Sequence, residues 1–138
     1  MIFLKHMKRT QRGFTLVEIL VTVGIIALVS ALVLLPNVLR SRLNANDSIA
    51  QSTLKTISNA LETYMIVHGA YPTDTDSLLA DAPPYLQTDF FDGQPHSGFN
   101  YTADTLPGYT YGISASPISA SHGTRSFTMS TGGVLKAN

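Results

Sequence analysis

The chain's 138 residues include nine lysines and arginines against nine aspartates and glutamates, and only 13% of all residues are charged. A neutral chain of this length has room for one small domain beyond a membrane segment. It gives no basis for nucleic-acid binding, which needs a positive surface. The chain contains no cysteine, so a disulfide framework is excluded.

An apolar segment near the N-terminus is the first element that the sequence predicts. Phe14 to Leu35 is interrupted in polarity only by Thr15, Glu18, Thr22 and Ser30. As a helix it would be about 33 Å long, which is enough to cross a bilayer core of about 30 Å. Four basic residues and no acid precede it: Lys5, Lys8, Arg9 and Arg12. The positive-inside rule therefore predicts a cytoplasmic N-terminus and places the chain after Pro36 across the membrane. Met1 and Met7 are both candidate start residues.

Glu18 is the unusual residue of this segment. A carboxylate at the centre of a membrane helix costs roughly 2.5–3.5 kcal/mol, and less near the end, where Glu18 lies. Three interpretations compete. The segment is a plain signal anchor whose Glu18 snorkels to the headgroups, or a secretory signal peptide cut after a small residue such as Ala31. In the third, a leader is removed on the cytoplasmic side, between Gly13 and Phe14, and the apolar helix becomes the new N-terminus.

The residues around this junction carry a resemblance. Arg12-Gly13-Phe14-Thr15-Leu16-Val17-Glu18 resembles the prepilin processing site of type IV pilins and of the pseudopilins of type II secretion. The resemblance implies cleavage between Gly13 and Phe14, N-methylation of Phe14, and an assembly role for Glu18, the family's buried glutamate. Pro36 is similar to the proline that often bends the pilin helix. His68-Gly69-Ala70-Tyr71-Pro72-Thr73 resembles the loop that follows the long helix in this family.

Elementary electrostatics supports the same role for Glu18. A free α-amine at Phe14 would have a pKa of about 7.7–8.0 and would be largely cationic near neutrality. Glu18 lies one helical turn along, at the spacing i to i+4. We therefore expect its carboxylate to neutralise its own N-terminus or that of a neighbouring subunit.

The next segment predicts a continuation of the same helix to about His68. Its apolar residues recur at steps of three and four, with Arg40, Arg42, Asp47, Lys55 and Glu62 largely off the stripe. We expect Pro36 to kink this helix and Gly69 to end it. The stripe consists of Leu39, Leu43, Ile49, Ala50, Leu54, Ile57, Leu61, Tyr64 and Met65.

The remainder predicts a small antiparallel sheet. Thr75 or Asp76 is expected to cap a short helical turn, and three alternating stretches follow: Phe99–Ala103, Tyr109–Ala115 and Ser126–Ser130. Val134 and Leu135 extend the last strand or form a fourth. Five aromatic residues at period-two spacing can cover the helix stripe: Phe99, Tyr101, Tyr109, Tyr111 and Phe127. The predicted fold class is α+β, with a long N-terminal helix packed on three or four strands.

These elements divide the chain into four predicted regions. They are a basic leader over residues 1–13, a transmembrane and assembly helix over 14–36, an amphipathic half of the helix over 37–69, and a globular loop and β-meander region over 70–138.

Candidate chemistry is sparse. The four histidines form no metal-ligand pair, and no serine stands in a nucleophile motif, so an enzyme is not expected. Major pseudopilins, which this chain resembles, often bind calcium in their C-terminal loops. The candidate oxygen ligands here are Asp89, Asp92 and Asp104; solvated turn aspartates are the competing interpretation.

The resemblance implies a structural subunit of a type IV pilus-like filament, either a pilin or a type II secretion pseudopilin. Its implied partners are prepilin peptidase, copies of itself, other pilins or pseudopilins, an inner-membrane assembly platform and the inner membrane, with no nucleic acid. It implies a single-pass inner-membrane protein with a periplasmic C-terminal domain, and then a periplasmic or extracellular filament. The alternative is a membrane-tethered periplasmic binding module that does not polymerise.

Overall fold

The structure, a computed structural model, describes residues 13–106 and 108–138. Residues 1–12 of the basic leader, which include both candidate start residues, lie outside this part. The chain divides into two compact units, one ending at Val38 and the other running from Leu39 to Asn138. The described residues form six elements: α1 (Leu16–His68), α2 (Ser77–Ala80), β1 (Phe99–Thr105), β2 (Gly112–Pro117), β3 (Phe127–Ser130) and β4 (Val134–Ala137).

The long helix α1 has 53 residues and is the longest element. Every residue from Gly13 to Arg42 is exposed, and Pro36 lies inside the helix. Gly69 follows its last residue with a φ of 80°, and the Gly69 amide donates to the Met65 carbonyl at 2.8 Å. A positive φ is readily adopted by glycine and ends the helix there, as predicted.

The four strands form one antiparallel sheet in the order β1-β2-β3-β4. Neighbouring strands are neighbours in the chain, so each connection is a local turn or loop. The turn between β3 and β4 contains Gly132 and Gly133, both with positive φ. The predicted α+β class is confirmed, because α1 packs on this sheet. Of the two predicted alternatives for Val134 and Leu135, the structure shows a separate fourth strand.

The hydrophobic core lies between the second half of α1 and one face of the sheet. Leu54, Ile57 and Leu61 of the helix are at most 1% exposed. They belong to one buried cluster with residues of three strands: Phe99, Tyr101, Ile113, Ala115, Phe127 and Met129. Burying a side chain of this kind contributes roughly 1.5–3 kcal/mol, so this cluster is the main source of stability in the second unit.

Three members of the predicted helix stripe are outside this core: Leu39, Leu43 and Ile49. Leu39 is 60% exposed and Ile49 is 42% exposed. The helix meets the rest of the unit at Asn46 and Asp47, so Leu39 lies before the covered part and Ile49 lies on the side away from the sheet. The prediction that the sheet covers the helix stripe is therefore wrong at Leu39 and Ile49.

The second strand also differs from its prediction. It begins at Gly112, not at Tyr109, and Tyr109 is 76% exposed. The Gly108 carbonyl accepts a hydrogen bond from the Tyr71 amide at 3.0 Å. This bridge draws the chain toward the segment after α1, and Tyr109 is therefore not part of the aromatic face.

Asp47 is a buried carboxylate, although the helix pattern placed it off the core stripe. It is 8% exposed; its Oδ1 accepts from the Thr124 amide at 3.1 Å, and its Oδ2 accepts from the Thr124 hydroxyl. The neighbouring Asn46 donates its side-chain amide to the His122 carbonyl at 2.8 Å. These bonds attach the loop between β2 and β3 to α1 and satisfy the buried charge.

A second acid, Glu62, attaches α1 at two further points. Its Oε2 accepts from the Tyr71 hydroxyl at 3.0 Å, and its Oε1 accepts from the Gly132 amide at 3.1 Å. Burial, the hydrogen bond to Glu62 and the negative charge of Glu62 together raise the pKa of Tyr71 to about 12. The folded chain therefore holds the Tyr71 proton more tightly than the unfolded chain does.

This shift predicts a specific alkaline destabilisation. The stability from Tyr71 is fully present below its unfolded pKa of about 10 and is lost as the pH rises toward about 12. We expect Tyr71→Phe to flatten this loss, because phenylalanine does not titrate. Urea unfolding of a fragment beginning at Leu39, measured across this pH range, tests it. Tyr109→Phe, at an exposed tyrosine, is the control, and equal profiles for the two variants would contradict the assignment.

Candidate assembly site

Glu18 lies in the first turn of α1 and forms a reciprocal pair with Thr15. The Thr15 hydroxyl oxygen accepts from the Glu18 amide at 3.2 Å. The Oε2 of Glu18 accepts from the Thr15 amide at 3.4 Å and from the Thr15 hydroxyl at the same distance. This arrangement is a capping box, in which two side chains satisfy the free amides at a helix N-terminus. It determines where α1 begins and orients the carboxylate.

The capping box leaves part of the carboxylate available. Within residues 13–106 and 108–138, Oε1 of Glu18 accepts no hydrogen bond. A carboxylate with one oxygen held by its own helix and the other free can still bind a cation. Thr15 is thus a positioning residue that our sequence analysis missed. The spacing Thr-x-x-Glu was the signal that could have identified it.

Glu18 lies in an apolar stretch of α1 whose residues are exposed. The most apolar 18-residue window of α1 has a mean hydropathy of 2.7, and none of it is buried. In the part of the chain that the structure describes, α1 is the one helix whose length and composition are sufficient for a membrane span. The Thr22 hydroxyl donates to the Glu18 carbonyl, so this polar side chain is satisfied within the helix.

The predicted processing residues lie just before the helix. Phe14 is 78% exposed. Gly13 is also exposed, and no described heavy atom beyond its chain neighbours lies within 4 Å of the position that a Gly13 Cβ would occupy. Pro36 is exposed and lies within α1. The processing and assembly roles of these residues stay predictions.

The three calcium candidates are each engaged locally. Asp89 accepts from the Phe91 amide at 2.8 Å, and Asp92 accepts from the Gln94 amide at 2.8 Å. The bond from Gln94, together with His96, holds the pKa of Asp92 below its usual value. Asp104 accepts from the Thr102 hydroxyl at 3.3 Å. Among the described residues, no three acidic or histidine side chains lie close enough to hold a metal ion. Calcium binding stays a prediction without an assembled site.

Comparison with known proteins matches the N-terminal region to a described motif. Residues 8–34 match the prokaryotic N-terminal methylation motif. The chain is 36% identical over 72 residues to the type IV wide pilus major component PilA4 of Thermus thermophilus, covering 52% of this chain and 54% of that protein. It is 39% identical over 75 residues to the type II secretion system core protein G of Escherichia coli, covering 53% and 51%. Over about half of its length, the chain is similar to a type IV pilus component and to a type II secretion system core protein.

The relationship covers part of each molecule. The chain spans about half the length of the curated relatives that it matches. The methylation motif includes Gly13, Phe14, Thr15 and Glu18, so the capping box lies inside the matched residues. The names of both relatives describe components of assemblies, a wide pilus and a secretion system core.

Proposed function

We propose that this chain is a structural subunit of a type IV pilus-like filament, a pilin or a type II secretion pseudopilin. Prepilin peptidase cleaves it between Gly13 and Phe14, and the new Phe14 amine is methylated. The observation that carries the proposal is the single carboxylate of Glu18, held in the first turn of an uncovered apolar helix and matched to a methylation motif.

Cleavage converts this helix end into a charge pair. The new α-amine at Phe14 lies four residues before Glu18, and its unperturbed pKa of about 7.7–8.0 makes it largely cationic near neutrality. A carboxylate and an ammonium both placed in an apolar environment stabilise each other only when they meet. Oε1 of Glu18, which accepts no hydrogen bond from the described residues, is the proposed acceptor for this contact. The partner amine belongs to the same copy or, in the filament, to the next one.

The exposed apolar surface of the helix allows the chain to exist both in the membrane and in a filament. Before assembly the bilayer solvates the apolar residues 14–35, and in the filament the helices of neighbouring copies replace the lipid. Both environments are apolar, so extraction does not expose this surface to water. The exchange lets the chain leave the membrane and enter a helical stack.

The proposed setting follows from the same features. The chain crosses the inner membrane once, with a cytoplasmic N-terminus and a periplasmic second unit, and then joins a periplasmic or extracellular filament. Its partners are prepilin peptidase, copies of itself or of other pilins and pseudopilins, and an inner-membrane assembly platform. Its role is structural, not enzymatic.

The first experiment is the intact mass and N-terminal sequence of the chain purified from its native membranes, together with electron microscopy of sheared surface material. We expect a chain that begins at N-methylated Phe14 and filaments that contain it. A start at Met1 or Met7 would leave a signal anchor, and a start after Ala31 would indicate a secreted protein. A processed chain that forms no filaments would favour a tethered binding module.

A further inference from the structure

A groove of about 660 Å³ lies in the second unit, between the C-terminal turns of α1 and the segment over residues 81–85. Its helix side is lined by Thr56, Thr63 and Val67, and its other side by Pro83, Pro84 and Tyr85. Asp81 and His68 also line it, with Nε2 of His68 3.8 Å from Oδ2 of Asp81. The groove therefore combines apolar and uncharged polar side chains with one carboxylate.

Aromatic rings make this groove well defined. The rings of Tyr64 and His68 stack at 4.0 Å, and Tyr85 meets Tyr64 edge-on at 5.3 Å. The amides of Tyr85 and Leu86 both donate to the Leu78 carbonyl, at 2.9 and 3.0 Å, which holds the segment in place. An aromatic ring beside a carboxylate is a favourable site for a guanidinium group, which stacks on the ring and pairs with the acid.

The charges of the chain are separated along its length. From residue 56 to residue 124 there is no lysine or arginine. That stretch contains seven acids: Glu62, Asp74, Asp76, Asp81, Asp89, Asp92 and Asp104. In the described residues both ion-pair contacts involve histidine, and no lysine or arginine pairs with an acid. Of the described residues that line the groove, Asp81 is the one carboxylate, and none is a lysine or an arginine.

The nearest arginines on α1 are Arg40 and Arg42, and both are exposed. Arg42 precedes the groove residue Ala60 by eighteen residues, which is about five helical turns, so the two lie on the same side of α1. Arg40 lies about 200° around the helix from that side. Arg42 is also about 27 Å from Ala60 along the helix, too far for its side chain to reach the groove of its own copy.

We propose that this groove binds the Arg42 side chain of a second copy of the chain. Charge complementarity supports this contact. The groove offers the Asp81 carboxylate and the Tyr85 ring and is lined by no arginine, and Arg42 is an exposed arginine on the same helix face that cannot reach the groove of its own copy. In the proposed filament, where copies stack in the same orientation, the groove of one copy meets Arg42 of the next, so the contact is heterologous and repeats along the stack. The inference rests on the proposed filament function and names a contact between its subunits.

Arg42→Ala and Arg40→Ala form a matched pair of test variants, since they remove the same charge from opposite sides of the helix. We expect Arg42→Ala to lower the yield of sheared filaments about fivefold, which corresponds to about 1 kcal/mol per contact. We expect Arg40→Ala to remain near the wild-type yield. Equal losses in both variants would overturn the proposal, because they would indicate a general effect of charge.

A charge exchange tests the pairing directly. Arg42→Asp should reduce filament yield at least as strongly as Arg42→Ala, and Asp81→Arg should also reduce it. The double variant Arg42→Asp with Asp81→Arg should recover yield relative to either single variant. Failure of the double variant to exceed either single variant would overturn the pairing.

Cross-linking tests the contact without changing these charges. The chain has no cysteine, so Ala45→Cys, one turn after Arg42, and Thr63→Cys, in the groove, introduce the only thiols. They lie eighteen residues apart, about 27 Å along one helix, so a short bismaleimide cannot join them within one copy. We expect a ladder of linked copies from purified filaments of the double-cysteine chain and at most dimers from each single variant.

The outcomes separate this inference from the proposed function. Filaments without a ladder would overturn the groove contact and leave the filament function standing. A ladder from membranes without filaments would support the contact and count against the filament. If neither filaments nor a ladder formed, the groove contact and the filament function would both be overturned. A cross-link to a different protein would overturn the proposal that a second copy occupies the groove.

Discussion

Replacing Glu18 with alanine is expected to leave the chain in the membrane and to remove its filaments. The apolar helix becomes less costly to insert, because the substitution deletes the one charge of the span. The α-amine of a processed neighbour would lose its partner, and removing one member of a buried ion pair costs about 3–5 kcal/mol. We therefore expect filament yield to fall by more than about a hundredfold. Membrane fractionation and electron microscopy of sheared material measure the two quantities.

Glu18→Gln separates the two roles of this side chain. Glutamine can still accept the Thr15 amide in a capping box, so the start of α1 is retained, but it carries no charge. We expect Glu18→Gln to fail in assembly as Glu18→Ala does, and Thr15→Ser, which keeps the capping hydroxyl, to assemble normally. Wild-type filament yield in Glu18→Gln would show that the charge is dispensable.

Gly123→Ala is expected to destabilise the second unit strongly. A Cβ at this position would overlap the ring of Phe99 and lie 2.9 Å from the Pro117 Cβ. The backbone cannot easily move away, because Asn46 binds the His122 carbonyl and Asp47 binds the Thr124 amide on either side. Overpacking of this kind costs typically about 1–3 kcal/mol, and we expect the upper part of that range.

The cause can be tested with a second substitution. Phe99→Leu removes part of the ring that the new methyl group would meet, so the double variant should be less destabilised than the sum of the two single variants. Urea unfolding of a fragment beginning at Leu39 measures all three free energies of unfolding. Strict additivity would mean that the Phe99 contact does not cause the loss.

The features that could be predicted from the sequence are those set by neighbouring residues. Local spacing predicts the apolar span, the helix to His68, its end at Gly69 and the start of β1 at Phe99. Hydrophobic periodicity and the conformational freedom of glycine both act over a few neighbouring residues. The Thr15–Glu18 capping box is equally local, and it was missed only because Thr15 was treated as a polar interruption of the span.

The short helix α2 shows the limit of such local rules. Thr75 or Asp76 was expected to cap it, but the Asp74 carboxylate accepts from the Ser77 amide at 3.0 Å and from the Ser77 hydroxyl at 2.7 Å. These bonds lower the pKa of Asp74. Residue type and spacing allow Asp74, Thr75 or Asp76 to cap this helix. The backbone conformation before α2 determines that Asp74 is the one that binds Ser77.

Tertiary structure alone decided the roles of Asp47, Glu62 and Tyr109. The acids bind Thr124 and Gly132, 77 and 70 residues away in the chain, and no periodicity relates such positions. Tyr109 is outside the sheet because Gly108 pairs with Tyr71, a partner from another part of the chain. The sequence by itself determined the helix, its membrane-length apolar half and the position of Glu18, since each depends on residues within a few turns. The polar contacts that attach the sheet to the helix depend on folding, because their geometry exists only after distant segments have met.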